Sequence, residues 1–106
     1  MAGKARRPAC RLEQQDPSHW RVSGELDLET AAGMLSAGTA AFAGVPRAEV
    51  DLSAVTDADS AGLAVLIEWV RGACTSGRSI AFRGLPPRLA ELARIGGVAD
   101  LLPVAD

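Results

Sequence analysis

The stretch Val50-Asp51-Leu52-Ser53-Ala54-Val55-Thr56-Asp57-Ala58-Asp59-Ser60-Ala61-Gly62-Leu63 decides the fold, because it passes from strand to acidic turn to helix without a break. Val50 and Leu52 alternate with Asp51 and Ser53, the period of a strand with one covered face. Asp57 and Asp59 then crowd the turn, and Ser60-Ala61-Gly62-Leu63 opens a helix. Either Ser60 or Asp59 can accept hydrogen bonds from the first free amides of that helix, a contribution of about 1 kcal/mol. A hydroxyl in that place also stands beside exposed amides and the positive end of the helix dipole, which would stabilise an added phosphate. Ser60 is therefore a candidate phosphorylation site.

Working outward, the strand spans Arg47 to Val55 and the helix about Ser60 to Thr75, with Leu63, Leu66, Ile67, Val70 and Cys74 as its core face and Gly77 as its stop. Upstream, Cys10 and Leu12 alternate with Arg11 and Glu13, Asp16-Pro17-Ser18-His19 suits a type I turn, and Trp20, Val22 and Leu26 resume the alternation as the second strand of a hairpin. Leu28, Ala31, Ala32, Leu35, Thr39 and Phe42 share one face of a first helix capped by Asp27 and ended by Gly44 and Pro46. Downstream, Ile80 and Phe82 mark a fourth strand. Pro86-Pro87 open a third helix carrying Leu89, Leu92 and Ala93, Gly96-Gly97 stop it, and Val98 to Leu102 add a further helical turn. The order predicts an α/β class: one small mixed four-stranded sheet with three to four helices, its later strands joined by right-handed crossovers. Glu25, Asp27 and Glu29, with Asp57 and Asp59, fall where strands hand over to helices, on one edge of the sheet where partners engage in folds of this type.

The chain has 106 residues, enough for one domain, and a formal net charge of -2 that does not fit a nucleic-acid coat. No apolar run approaches the roughly 20 residues of a membrane span, and the basic start Met1 to Arg7 is not followed by a signal-peptide core, so a cytoplasmic protein without direct membrane insertion is expected. Cys10 and Cys74 lack metal or disulfide spacing and are expected as buried free thiols. His19, the only histidine, sits in the predicted turn.

Enzyme chemistry finds no support in these residues. The pair Asp57 and Asp59 is similar to the acidic pocket of a phospho-accepting receiver domain, but that pocket needs a lysine late in the chain and Lys4 is the only one. Ser60 lies in Asp-Ser-Ala-Gly rather than on a GxSxG elbow, and no histidine is placed to activate it. Gly24-Glu25-Leu26-Asp27-Leu28 is acidic and would repel phosphates, which removes a nucleotide site. No catalytic residue, metal or cofactor is expected.

The second helix carries Ala61, Val65, Trp69 and Gly72 outside its core stripe, so it is apolar on two sides. The sequence provides no evident layer to bury both, and the outer side reads as a partner-docking face anchored by a partly exposed Trp69. The alternative is that Trp69 folds against the sheet edge or the C-terminal turn.

Gly24-Glu25-Leu26-Asp27 before a helix, Asp51-Leu52-Ser53, and Asp59-Ser60-Ala61-Gly62-Leu63 together resemble the STAS domain, shared by sulfate transporters and anti-sigma factor antagonists. The resemblance runs from about Leu12 to Leu102 and sets a domain over 9–106 behind a flexible tail, 1–8. Leu63-Ala64-Val65-Leu66-Ile67-Glu68-Trp69 and Gly97-Val98-Ala99-Asp100-Leu101-Leu102-Pro103 look most like MlaB-like subunits of the lipid-asymmetry ABC transporter. That implies a non-enzymatic module of a Gram-negative bacterium, cytoplasmic and peripheral to the inner membrane through its partner, which binds the transporter's ATPase. The antagonist branch implies instead a serine kinase partner that phosphorylates Ser60. Both uses set Asp57, Asp59, Ser60, Ala61, Val65 and Trp69 against the partner, and a homodimer through the same helix is left open.

Overall fold

Alternating apolar residues bury one face of each strand, and in the computed structural model, which describes residues 10–105, those strands form a single sheet. The tail expected at 1–8 lies outside the described residues. The elements are β1 (Cys10–Asp16), β2 (His19–Leu26), α1 (Leu28–Phe42), β3 (Arg47–Ala58), α2 (Ser60–Thr75), β4 (Ser79–Arg83) and α3 (Pro87–Ile95), followed by a short 3-10 turn over Ala99–Leu101. The sheet order is β1-β2-β3-β4, with β1 antiparallel to β2 and the other pairs parallel. The mixed four-stranded α/β architecture expected from the element order is the one observed.

The hairpin turns on Pro17 and Ser18, with Asp16 opposite His19. Asp16 accepts the Ser18 amide at 2.9 Å, the local bond for which aspartate is favoured at the start of turns. Side chains on one face of the strands, among them Val22, Leu26, Val50, Leu52 and Phe82, are fully buried in one core. The opposite face is polar. Arg21 pairs with Asp51 at 3.5 Å, and Glu49 lies 3.1 Å from Arg83 and 3.9 Å from His19. The Ser53 amide, donating to Asp51 at 2.9 Å, is the main cause that holds the Asp51 carboxyl below its ordinary range, with Arg21 assisting. Beyond β4, the Phe82 amide donates to the Pro103 carbonyl at 2.8 Å and the Ala105 amide to the Phe82 carbonyl at 2.7 Å, so the C-terminal segment covers that edge of the sheet.

Several expectations are corrected. β3 runs to Ala58, not Val55, because Glu25 and Leu26 of β2 continue the ladder opposite Asp57 and Ala58. Asp57 is thus a strand residue. In α1 the buried positions are Met34, Gly38 and Phe42, whereas Leu28 is 76% exposed and Ala32 and Thr39 face outward. In α2 the buried stripe is Gly62, Leu63, Val65, Leu66, Trp69 and Ala73, rotated toward α1, which leaves Cys74 exposed; only Cys10 is a buried thiol.

The rotation has a steric cause. Trp69 is 4% exposed, not a surface anchor. Its indole occupies the notch that Gly38 leaves in α1, where a Cβ would collide with the ring. Phe42 stacks edge-on between Trp20 and Trp69, with centroids 5.1 and 5.2 Å away, a favoured aromatic geometry. On the second apolar side of α2, Val65 and Trp69 are therefore buried beneath α1, while Ala61 is half-buried and Gly72 exposed.

Candidate partner-binding site

Because β2 and β3 are parallel neighbours, both release their chains into helices at the same end of the sheet. Each handover is closed by an aspartate. Asp27 Oδ1 accepts the amides of Glu29 and Thr30 at 3.1 and 3.2 Å, and Thr30 Oγ1 accepts the Asp27 amide at 3.0 Å, a reciprocal cap for α1. Asp59 Oδ1 accepts the Gly62 amide at 3.1 Å and caps α2, so of the two candidates the aspartate, not Ser60, is the cap. Asp59 Oδ2 also accepts the Leu28 amide at 3.1 Å, so one carboxylate fastens the starts of both helices. Gly62 is required at this crossing, since a Cβ there would collide with the Leu26 carbonyl oxygen.

Ser60 is exposed at the first position of α2, and among the described residues its hydroxyl has no hydrogen-bond partner within reach. The acidic residues around it do not converge: among the described residues no three His, Cys, Asp or Glu side chains are grouped to hold a metal ion. Asp57 lines a separate cleft with Thr56, Pro86, Pro87 and Arg88, at the start of α3.

Between α1 and α2 an open groove of about 260 Å³ is lined by Ala31, Ala32 and Leu35 from α1 and by Ala61, Ala64, Val65 and Glu68 from α2. Glu68 is the only charged residue along it. Val65 is 3% exposed and forms the floor, while Ser60 stands one turn before Ala64 on the same side of α2. Leu28 lies one turn before Ala31 and Ala32. Of the residues singled out in the sequence, Ala61 and Val65 line this groove, Asp59 and Ser60 lie at the start of α2 outside its lining, and Asp57 and Trp69 line other clefts. The half contributed by α1 was missed, because Leu28, Ala32 and Leu35 satisfied a core stripe on paper. The available signal was the competing stripe Met34, Gly38 and Phe42 at intervals of four.

This geometry coincides with known proteins. A family model described as "Mlab, STAS domain" matches residues 10–103. Among solved structures, an anti-sigma factor antagonist from Mycobacterium paratuberculosis is 26% identical, with 90% of this chain and 82% of that chain covered and a TM-score of 0.71. A serine-to-glutamate variant of RsbS from Moorella thermoacetica is 25% identical, covering 91% of this chain and 85% of that one at a TM-score of 0.65. The Bacillus cell fate determinant SpoIIAA, in its phosphorylated form, shares the fold at 16% identity and a TM-score of 0.67, with 92% of each chain covered. No curated protein sequence matches the chain. With the family model spanning all but the ends, the chain belongs to the STAS-domain family.

Proposed function

We propose that this STAS domain is a non-enzymatic, partner-binding accessory subunit that docks the ATPase of a phospholipid-transporting, Mla-type ABC transporter through the α1–α2 groove and the start of α2 at Ser60. The observation that carries the reading is the groove itself: two capped helices present an apolar, alanine-lined channel flanked by exposed Leu28. Removing such a surface from water contributes about 25 cal/mol per Å² of apolar area. The match to a model described by the Mlab name favours the transporter partner. No helix among the described residues is long and apolar enough to cross a membrane, so a place at the cytoplasmic side of the inner membrane would come through the partner.

Co-purification with the ATPase subunit of an Mla-type transporter tests this. The wild-type chain should be retained, while Ala32→Arg and Ala64→Arg, both on exposed helix positions, should keep the helical circular dichroism signal and lose the ATPase. Retention of both variants would sink the groove as the interface.

A second reading, an anti-sigma factor antagonist switched by phosphorylation of Ser60, is favoured by the exposed and unbonded Ser60 hydroxyl at the start of α2. Incubation with an anti-sigma serine kinase and ATP, followed by mass spectrometry, separates the readings: phosphate on Ser60 supports the second and its absence the first.

A further inference from the structure

The two edges of the sheet are treated differently. The β4 edge is covered by the segment around Val104, whereas among the described residues nothing pairs with the outer edge of β1. Bare edges present unpaired amides and carbonyls to any strand that fits, and proteins usually blunt them with proline, charged side chains, β-bulges or a covering segment. β1 has no proline, its inward-facing residues Cys10 and Leu12 are apolar, its register irregularity lies between Gln14 and Asp16 beside the hairpin turn, and its charges Arg11 and Glu13 are of opposite sign.

We infer that a second copy of this chain covers that edge, by antiparallel pairing of β1 with β1 about a two-fold axis at Leu12. The self-complementarity of the strand argues for this occupant. Arg11 and Glu13 lie on the open polar face, 3.7 Å apart in one chain and both largely exposed. An axis at Leu12 sets Arg11 of each copy directly opposite Glu13 of the other, and directly opposed opposite charges are favourable cross-strand pairs. On the helix side, Leu12 is half-buried in a cleft with Cys10, Thr30, Gly33, Met34 and Ala37, with Glu29 as its one charged lining residue. The same axis brings the two Leu12 side chains together there. Gly33 leaves room above them, since a Cβ at that position would meet nothing within 4 Å. This cleft and the α1–α2 groove lie on different flanks of α1, so the pairing leaves the proposed partner site open and does not depend on it.

Sedimentation equilibrium of the full-length chain over a concentration series decides the matter. A reversible monomer–dimer equilibrium is expected. Arg11→Glu or Glu13→Arg should each raise its dissociation constant about tenfold or more, because each turns two attractive cross-strand pairs into repulsive ones. The double variant Arg11→Glu/Glu13→Arg should restore wild-type dimerisation. Three results would overturn the inference: a monomer at every concentration, a dimer indifferent to all three variants, or a dimer that forms only after residues 1–9 are deleted, which would make that segment the occupant. Circular dichroism of each variant confirms that the fold is kept.

Discussion

Asp59 and Leu28, 31 positions apart in sequence, are joined by a 3.1 Å hydrogen bond from the Leu28 amide to the Asp59 carboxylate. The same carboxylate caps α2, so the relative placement of the two groove-forming helices is set at their first residues by one side chain. Asp59→Ala removes both bonds and should destabilise the domain by about 1–2 kcal/mol. In a domain of this size that corresponds to a fall of roughly 4–8 °C in Tm per kcal/mol. Asp59→Asn keeps one acceptor oxygen but turns its NH2 toward the other amide, so it should recover the cap bond at most and only part of the loss in a thermal melt.

Ser60 behaves differently, because its hydroxyl is not the cap. Ser60→Ala should change stability by less than about 0.5 kcal/mol and leave partner capture intact. Ser60→Asp places a carboxylate at the positive end of α2 and should hold or raise Tm. It should also abolish co-purification, since an apolar groove closing over an uncompensated charge carries a desolvation penalty. Capture of the partner by the aspartate variant would place Ser60 outside the interface.

Trp69→Ala should remove most of the folded population rather than act on binding. Truncating a buried tryptophan costs about 3–5 kcal/mol, and Trp69 fills the Gly38 notch against Phe42. Gly38→Ala should destabilise through the same contact, with a red-shifted tryptophan emission as the indole is pushed toward water.

The acid limb of the stability curve should carry the signature of Asp51. Its carboxyl lies below the ordinary value of 3.8 in the folded chain, chiefly through the Ser53 amide. The group binds protons more weakly folded than unfolded, so its stabilisation is complete above that value and is lost as pH falls through the folded-state value. Asp51→Asn should therefore lower stability at neutral pH and flatten the loss below pH 3.8, in denaturant titrations on both sides of that value.

The two thiols should separate in a labelling time course. Burial, with a smaller contribution from the Asp27 charge, pushes the Cys10 thiol up to about 11, so at neutral pH it is protonated as well as covered. One fast equivalent, abolished by Cys74→Ser, is expected with a thiol-specific chromogenic reagent, followed by a slow one from Cys10.

The local signals in the sequence were sufficient for most of the elements. Asp16-Pro17 announces the hairpin, Asp27 and Asp59 announce helix starts, and Pro86-Pro87 announces α3, because turn and cap chemistry is decided within a few residues. What stayed hidden depends on distant partners. The last residues of β3 gain their pairing from Glu25 and Leu26, while Asp57 interrupts the apolar alternation that would have signalled it. The facing of α1 turns on Gly38, which has no hydropathic weight and acquires meaning only when Trp69 arrives from α2. The candidate groove was half legible for a related reason: an apolar helical stripe reads alike whether it meets a core or a partner.

Both ends of α1 are held from later in the chain. Its first amide, at Leu28, is taken by Asp59, and the carbonyl of Phe42 at its end accepts a 2.7 Å hydrogen bond from Arg78. During synthesis the helix is made well before either fastener, and Trp69, which closes over its middle, also follows it. A nascent chain stopped short of Arg78 should therefore carry α1 with a frayed C-terminal turn, vulnerable to a protease that the finished domain resists.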